Sequence, residues 1–276
     1  MTLKLPNVTL TLIETREHVL AKLALLDCLE KAEFGEIIVF TDQPLRFAIP
    51  GVTTVQVSDW PEKVGWSRCF WYEVAQHVRT SHILSIQWDS WIVDPGCWTD
   101  EFLEYDWIGA PWWYKDGMNV GNGGFSLRST KFARFIRNNR ADYPCTTALD
   151  DDLYCRKYRP RLEVAGFVWA PESLAHRFSF ECVRPGPTAK HFGFHATFNF
   201  DYGCEGNEAR LLERASLMAR SSYIYGHSVL WDNFAKKFPK VVEQLKESED
   251  GKYSGISREG NAGLGARWSG GDSADE

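Results

Sequence analysis

The chain has 276 residues, of which 44% are apolar and 25% charged, a composition typical of a globular protein of one or two domains. Its net charge of −6 excludes a general attraction to nucleic acid or to anionic membranes, so phosphate would be bound locally. We expect a cytoplasmic protein without a transmembrane segment, because no apolar run approaches the roughly 18 residues that a membrane helix needs. Seven scattered cysteines without a Cys-x-x-Cys pair agree with that expectation.

The first part of the chain alternates strands with helices. Six segments show this alternation: apolar, β-branched strands at residues 8–13, 36–40, 53–57 and 82–88, and helically spaced apolar residues at 17–31 and 67–78. Such a pattern predicts a mostly parallel sheet with helices on both faces, and ligands of these sheets bind beyond the carboxyl ends of the strands. Thr15, Arg16, Asp42 and Asp89 follow those strand ends and are therefore candidate site residues.

The second part of the chain is less regular. Trp- and Gly-rich segments with short strands occupy residues 95–187, a pattern that favours a cleft built on the sheet. Helical spacing returns at 207–221 and 231–246, and the composition after residue 248 predicts disorder. The predicted organisation is a catalytic domain over residues 1–205, a helical extension packed on it over 206–247 and a disordered tail over 248–276.

Asp89 directly follows the apolar strand at residues 82–88, so its carboxylate should project into the predicted cleft. A carboxylate in that position can hold a divalent cation, which neutralises phosphate oxygens that an acidic protein would otherwise repel. The alternative is an aspartate that only caps the next turn.

Residues 121–128 read Gly-Asn-Gly-Gly-Phe-Ser-Leu-Arg. Three glycines in four positions allow a ligand to approach the backbone closely, although a plain tight turn would use them as well. The segment does not match a phosphate-binding loop, because the Lys-Ser/Thr ending is missing and a strand pattern follows in place of a helix.

Two further groups of polar residues could carry chemistry. Asp150, Asp151 and Asp152 are consecutive at a predicted helix start, where the helix dipole and an N-cap account for one or two of them. The remaining carboxylate has no structural need and indicates a base or a ligand. His191 and His195 would share one face of a strand-like stretch. Each is a candidate metal ligand, with an ordinary buried or surface histidine as the alternative.

In combination, these segments resemble a glycosyltransferase of the GT-A fold and, more narrowly, the bacterial and fungal family DUF5672. The resemblance covers roughly residues 8–200, and its most specific parts are residues 121–128, Phe-Ser-Phe-Glu at 178–181 and Phe-Gly-Phe-His at 192–195. It implies a GT-A-like, mixed but mostly parallel α/β sheet flanked by helices, as a single domain with C-terminal helices. It also implies a hexosyltransferase that uses a nucleotide-diphosphate sugar, most often a UDP-sugar, and family context suggests a polysaccharide acceptor.

The resemblance assigns the metal site to Asp89 and His195. GT-A enzymes usually bind Mn²⁺ or Mg²⁺ through the last residue of an Asp-x-Asp triplet, and the matching triplet here is Gln87-Trp88-Asp89. Gln87 would therefore contribute a hydrogen bond to a ribose hydroxyl and no charge. His195 matches a late histidine that completes the metal coordination.

The resemblance also assigns the donor and acceptor positions. Thr15 and Arg16 would lie near the base or phosphate, and Asp42 near the base or ribose. Trp66 and Trp113 are additional candidates for stacking on sugars. The predicted substrate-binding residues are Trp112, Asn122, Gly123 and Gly124, and the predicted catalytic pair, which would supply the base of an inverting transfer, is Asp151 and Asp152.

Two other functions remain open at this stage. A sugar nucleotidyltransferase would share the sheet and the metal, but it should carry a Gly-rich basic loop after the first strand, where this chain has Glu14-Thr15-Arg16-Glu17. A carbohydrate-binding protein that has lost catalysis would explain Gln87 in place of a carboxylate. The donor, the acceptor and the oligomeric state are not specified by the sequence.

Overall fold

The computed structural model describes residues 2–58, 64–147, 149–182, 186, 189–204, 206–220 and 228–248. The chain divides into two compact units, Met1–Lys237 and Phe238–Glu276. All predicted site residues lie in the first unit. The described part of the second unit contains one helix, Pro239–Ser248.

Within the described residues, the centre of the first unit is a six-stranded sheet. Its strands are β1 (Leu3–Glu14), β2 (Ala32–Thr41), β3 (Thr53–Gln56), β4 (His82–Ile86), β5 (Trp107–Ile108) and β6 (Phe125–Ser129). In the spatial order β3-β2-β1-β4-β6-β5, the first four strands are parallel, and β6 runs antiparallel to both of its neighbours. The prediction of a mixed, mostly parallel sheet is thereby confirmed. A second, parallel pair is formed by β7 (Ser179–Phe180) and β8 (Gly193–Phe194).

Helices flank the sheet. In chain order they are α1 (His18–Lys31), α2 (Val64–Cys69), α3 (Ala75–His77), α4 (Thr130–Asn138), α5 (Asp150–Asp152), α6 (Arg159–Val164), α7 (Glu172–Phe178), α8 (Phe200–Gly203), α9 (Glu208–Arg220) and α10 (Ser228–Lys237). π-Helical turns connect α2 to α3 (Phe70–Val74) and follow α5 (Leu153–Lys157). On α9, Arg210 and Arg214 pair with Asp27 of α1, which fastens this helix to the sheet layer.

An aromatic core supports the β6 side of the sheet. Trp71 of the first π-turn stacks on Trp107 of β5, with ring centroids 5.7 Å apart, and its ring lies 4.3 Å from Tyr154 of the second. Phe132 of α4 packs edge-on against both tryptophans. These rings form a packed interior next to α5, where the predicted catalytic pair lies.

Most predicted elements are confirmed, with two differences. Strand β4 ends at Ile86, because the N–H of Gln87 donates to Ser90 Oγ and the N–H of Ser90 to the Gln87 carbonyl, which turns the chain. The single helix predicted at 231–246 is wrong. Helix α10 ends at Lys237 and another helix begins at Pro239, whose missing N–H is tolerated only in the first turn of a helix.

Two expectations concern the rest of the chain. The predicted tail lies, from residue 249 onward, outside the described residues. Among the helices that the structure describes, none combines the length and the apolar character required to cross a bilayer.

Candidate active site

The candidate site lies at the carboxyl edge of the parallel strands. Strands β1, β2 and β4 all end there, and the antiparallel β6 begins there, since Phe125 pairs with Ile86. The loop that precedes β6 therefore enters the same edge as the turn that follows β4. Topology alone brings the predicted residues Asp89, Gly123 and Gly124 to one place.

Asp89 and His195 are in direct contact. Asp89 is 4% exposed, and its Oδ1 lies 3.4 Å from His195 Nε2. Within the described part of the chain, this oxygen accepts no hydrogen bond. The other ring nitrogen of His195, Nδ1, lies 2.8 Å from Glu181 Oε1. His195 is thus held between two carboxylates, and the structure brings the predicted metal pair together.

The electrostatics of this group favour positive charge at His195. Burial by itself lowers the pKa of His195, but the negative charge of Asp89, followed by that of Glu181, outweighs it and raises the pKa well above its usual value. Sequence reasoning did not assign a role to Glu181. Its only signal was its place in the Phe-Ser-Phe-Glu stretch, which does not reveal the pairing with His195.

The short β7–β8 pair positions Glu181 and His195 side by side. Phe180 pairs with Phe194 in the parallel register, and Glu181 and His195 are the next residues of the two strands. The N–H of His195 donates to the Phe180 carbonyl at 3.1 Å. Asn199 Nδ2 donates to the carbonyls of both Glu181 and His195, at 3.0 and 2.8 Å. The two backbones are therefore fixed relative to each other.

The glycine turn lies against the histidine. Asn122 adopts a left-handed conformation with φ of 53°, which Asn tolerates, and its Oδ1 accepts the N–H of Gly124 at 3.2 Å. A Cβ on Gly124 would lie 2.1 Å from His195 Nε2. Ser90 Oγ donates to the Gly124 carbonyl at 2.7 Å and so ties this turn to the one that carries Asp89. Glycine is required at residue 124 because the imidazole occupies the space of a side chain.

The three consecutive aspartates have different environments. Asp150 is buried and accepts hydrogen bonds from Trp71 Nε1 at 2.8 Å and Arg128 Nη1 at 3.2 Å. Asp151 is half-buried, and its two oxygens accept the N–H groups of Gly123, at 3.2 Å, and Asp152, at 2.9 Å. Burial, followed by the charge of Asp150, raises the pKa of Asp151 to about 7. Asp150 is a structural residue, whereas Asp151 has the pKa of a general base that works near neutral pH.

Arg128, which sequence reasoning also missed, supports this part of the turn. Its guanidinium is fully buried and lies 4.1 Å from the centre of the Phe70 ring and 4.0 Å from that of Trp107. Nη2 donates to the Gly123 carbonyl at 3.3 Å, and Nε donates to Ser126 Oγ at 3.0 Å. Arg128 therefore fixes Asp150 and Gly123 together, and through them the position of Asp151.

The strand ends on the β1–β2 side carry the predicted nucleotide-binding residues. Glu14 Oε1 accepts the N–H groups of Arg16 and Glu17 at 2.7 and 2.9 Å, which shapes the loop containing the half-buried Thr15. Asp42 Oδ1 lies 2.7 Å from Nε2 of the buried His18, a partner that sequence reasoning missed. The Asp42 carboxylate is thus held in place at the sheet edge.

The candidate aromatic residues and His191 differ in accessibility and position. Trp112 is 8% exposed and its ring lies over the Cα of Gly121, whereas Trp113 is 44% exposed. Trp66 donates from Nε1 to the Ile13 carbonyl at 3.1 Å, at the end of β1. His191 packs against Phe180 and Tyr202, and its Nδ1 faces the His176 carbonyl.

The donor set at Asp89 and His195 fits a divalent cation of the Mg²⁺ or Mn²⁺ class. Neighbouring ligands of such an ion are about 3 Å apart, close to the observed contact, and a buried carboxylate oxygen without a hydrogen bond suits a ligand. No group of three or more His, Cys, Asp or Glu residues that could hold a metal is found among the described residues. Such ions commonly take their remaining ligands from substrate phosphates and water.

Comparison with known proteins supports the predicted resemblance. The model of the family DUF5672, whose description is "protein of unknown function", matches residues 62–195, which confirms the resemblance to this family. No curated protein matches the chain.

Two solved structures illustrate the structural matches. Glucosyl-3-phosphoglycerate synthase from Mycobacterium tuberculosis, in complex with Mn²⁺, UDP and phosphoglyceric acid, is 12% identical, with 45% of this chain and 56% of that chain covered and a TM-score of 0.34. The apo form of the glycosyltransferase GlyE from Streptococcus pneumoniae TIGR4 is 11% identical. The match covers 68% of this chain and 54% of that chain, with a TM-score of 0.44. The match spans little more than half the length of either protein.

Proposed function

We propose that the protein is an inverting glycosyltransferase that moves a sugar from a nucleotide-diphosphate sugar, with a UDP-sugar as the first candidate, to an acceptor hydroxyl. The observation that carries this proposal is the buried Asp89 Oδ1, which accepts no hydrogen bond among the described residues and lies 3.4 Å from His195 Nε2. On the other side of the same glycine turn lies Asp151, whose pKa is raised to about 7. Sugar transfer needs both functions: a charged group for the leaving diphosphate and a base for the acceptor.

The donor would bind across the ends of β1, β2 and β4. Asp89 and His195 would hold Mn²⁺ or Mg²⁺, which when bound neutralises the oxygens of the leaving diphosphate. Arg16 and Thr15 would bind the phosphates or base from the end of β1. Asp42, held by His18, would bind the base or ribose from the end of β2, and Gln87 a ribose hydroxyl.

Asp151 would remove the proton from the acceptor hydroxyl. The acceptor oxygen then attacks the anomeric carbon from the face opposite the diphosphate. The C–O bond to the diphosphate breaks, and the electron pair leaves with the diphosphate. Asp151 is favoured over Asp152 because the Gly123 N–H fixes its carboxylate and because its pKa is raised.

The acceptor would approach beside the glycine turn. The side-chain space of Gly124 is filled by the His195 imidazole and that of Gly123 borders Arg128 and Asp150, so we place the sugar next to Asp151 and not over the glycine backbone. Trp113, with 44% of its surface exposed, is better placed than the buried Trp112 to stack on a sugar ring. A glycan, such as the polysaccharide acceptor that the resemblance implies, is the acceptor class that we propose.

The test is a titration of the protein with UDP- and GDP-sugars in the presence and absence of Mn²⁺, combined with NMR analysis of the product anomer. We expect Mn²⁺-dependent binding, slow donor hydrolysis and an inverted product when an acceptor is supplied. Asp89→Asn should weaken Mn²⁺-dependent nucleotide binding and lower turnover on the order of 100-fold, because the cation supplies several kcal/mol of charge stabilisation. The matched control is Asp201→Asn, at an exposed ion pair with Lys237.

Two results would contradict the proposal. Retention at the anomeric carbon removes the need for a base on the acceptor. Glycan binding that is indifferent to nucleotide sugars and Mn²⁺ would instead support a carbohydrate-binding protein, the alternative that Gln87 favours.

A further inference from the structure

We propose that Glu181 is a positioning residue. It accepts a hydrogen bond from His195 Nδ1 and thereby keeps Nε2 turned toward Asp89. The inference rests on the proposed function in one respect, the role of Asp89 and His195 as ligands of a divalent cation. Glu181 itself lies on the far side of the imidazole, against Nδ1, and so acts through His195.

The hydrogen-bond partners of Nδ1 require this nitrogen to carry a proton. Ionised Glu181 has only acceptor atoms, so its contact with His195 Nδ1 at 2.8 Å requires Nδ1 to donate. Asn122 Nδ2 also approaches Nδ1, at 3.3 Å, but Asn122 is committed to the turn through its oxygen and presents an amide donor to the ring. Two donors cannot share a hydrogen bond, so the shorter contact with the charged acceptor prevails.

The pairing of Glu181 with His195 is built into the backbone. Both side chains follow paired residues of β7 and β8, and Asn199 bridges their two carbonyl groups. Both are largely buried, with 11% of the Glu181 side chain and 16% of the His195 side chain exposed. A surface carboxylate that met a histidine by chance would not share these constraints.

The consequence concerns Nε2. A histidine ligand coordinates through one nitrogen, and a carboxylate on the other nitrogen fixes both the tautomer and the ring orientation. Here the ring also packs on the Cα of Gly124, so a rotated ring would clash with the turn or move away from Asp89. Because Gln87 supplies no charge, the cation would depend on two protein ligands, and the orientation of one of them matters correspondingly more.

The experiment compares Glu181→Ala and Glu181→Gln with the wild-type protein. Mn²⁺ affinity is measured by electron paramagnetic resonance in the presence of UDP, and the Nδ1–H of His195 is followed by NMR of histidine-labelled protein without metal. We expect Glu181→Ala to weaken Mn²⁺ binding about 10- to 100-fold and to abolish the hydrogen-bonded Nδ1–H signal. Glu181→Gln keeps an acceptor oxygen, so a loss below about tenfold and an upfield shift of the signal are expected.

Glu172→Gln is the matched control. Glu172 Oε1 lies 3.4 Å from His176 Nε2 on α7, so this variant also neutralises a glutamate next to a histidine, at an exposed position outside the site. Its Mn²⁺ affinity and the His195 signal should equal those of the wild-type protein. A loss in this control comparable to that of Glu181→Ala would overturn the proposal.

The remaining outcomes separate the inference from the proposed function. Wild-type Mn²⁺ affinity in Glu181→Ala, or an unchanged Nδ1–H signal, overturns the positioning role. If Glu181→Ala does not fold, an unshifted signal in Glu181→Gln does the same. If the wild-type protein binds no Mn²⁺ with UDP while the His195 signal still responds to both variants, the metal site fails and the positioning role is supported.

Discussion

Two buried groups of charged residues flank the glycine turn, and they differ in how completely their charges are paired. We call Arg128 and Asp150 the arginine pair, and Asp89, His195 and Glu181 the histidine cluster. In the arginine pair, the guanidinium donates to three different acceptors and lies 4.1 and 4.0 Å from the centres of two aromatic rings. In the histidine cluster, one buried oxygen of Asp89 accepts no hydrogen bond from any described residue.

This difference indicates different roles for groups that are similarly buried. A buried charge is tolerated when its partners satisfy it, and such a pair has little left to offer a ligand. A buried carboxylate oxygen without a hydrogen bond is a cost to the folded state that bound ligand can offset. We therefore interpret the arginine pair as the support of the site and the histidine cluster as its reactive part.

The largest expected effect comes from breaking the arginine pair. Arg128→Met leaves Asp150 buried without its charge partner, and the free energy of unfolding should fall by about 3–5 kcal/mol. Urea denaturation measures this change. Arg161→Met, at an exposed arginine, should change it by less than about 1 kcal/mol. The double variant Arg128→Met, Asp150→Leu should recover part of the lost unfolding free energy. If it recovers none, the unpaired charge of Asp150 is not the cause of the loss.

The next largest effect concerns Asp151. Asp151→Asn should lower kcat/KM by about 10²- to 10⁴-fold, because the variant cannot accept the acceptor proton. In the wild-type protein, kcat/KM should rise with pH through about 7, the raised pKa of Asp151, as the carboxylate loses its proton. A pH–rate profile with the same rise in Asp151→Asn would assign the titration to another group. A larger loss in Asp152→Asn would move the base to that residue.

The same carboxylate also predicts a stability effect with a defined sign. The pKa of Asp151 is about 7 in the folded protein, compared with 3.8 for an ordinary aspartate, the value expected in the unfolded chain. Between these two pH values the folded state therefore binds more protons than the unfolded state. The Asp151 contribution therefore favours folding at low pH and is lost as the pH rises through about 7. Thermal unfolding between pH 5 and about pH 8 should show this loss in the wild-type protein and a flatter profile in Asp151→Asn.

The sequence predicted which candidate residues come together better than it predicted their partners. Parallel strands necessarily end at one edge, so Asp89 could be assigned to the site from the strand that precedes it. His195, Gly124 and Asp151 were identified from short motifs that keep their chemistry within a few residues. The proximity of these residues then follows from the antiparallel return of β6 to the same edge.

The partners of those residues could not be read from the sequence. Arg128 and Asp150 are 22 positions apart, Glu181 and His195 14, and each pairing depends on how separate elements pack. His18 lies in the predicted helical segment 17–31, and the contact with Asp42 arises only when β2 packs next to this helix. Local patterns indicate which residues can do chemistry, but tertiary packing determines which of them are neutralised.

The smallest effects come from the two glycines, which contact different groups. A Cβ on Gly124 would lie 2.1 Å from His195 Nε2, whereas a Cβ on Gly123 would lie 3.1 Å from Arg128 Nη2 and 3.3 Å from Asp150 Oδ1. Neither glycine has a positive φ, so the cost of alanine at either position comes from contacts of its Cβ and not from backbone strain. Each substitution should cost about 1–3 kcal/mol of stability by overpacking.

The two alanine variants should then differ in function. Gly124→Ala displaces the imidazole from Asp89, so Mn²⁺ affinity in the presence of UDP should fall at least about tenfold, the lower end of what a displaced ligand costs. Gly123→Ala leaves His195 in place and should keep wild-type Mn²⁺ affinity while it lowers the unfolding free energy. Calorimetric titration and urea denaturation of both variants measure the two quantities. Equal losses of Mn²⁺ affinity in the two variants would mean that the glycine turn moves as one body. The arginine pair and the histidine cluster would then not act independently.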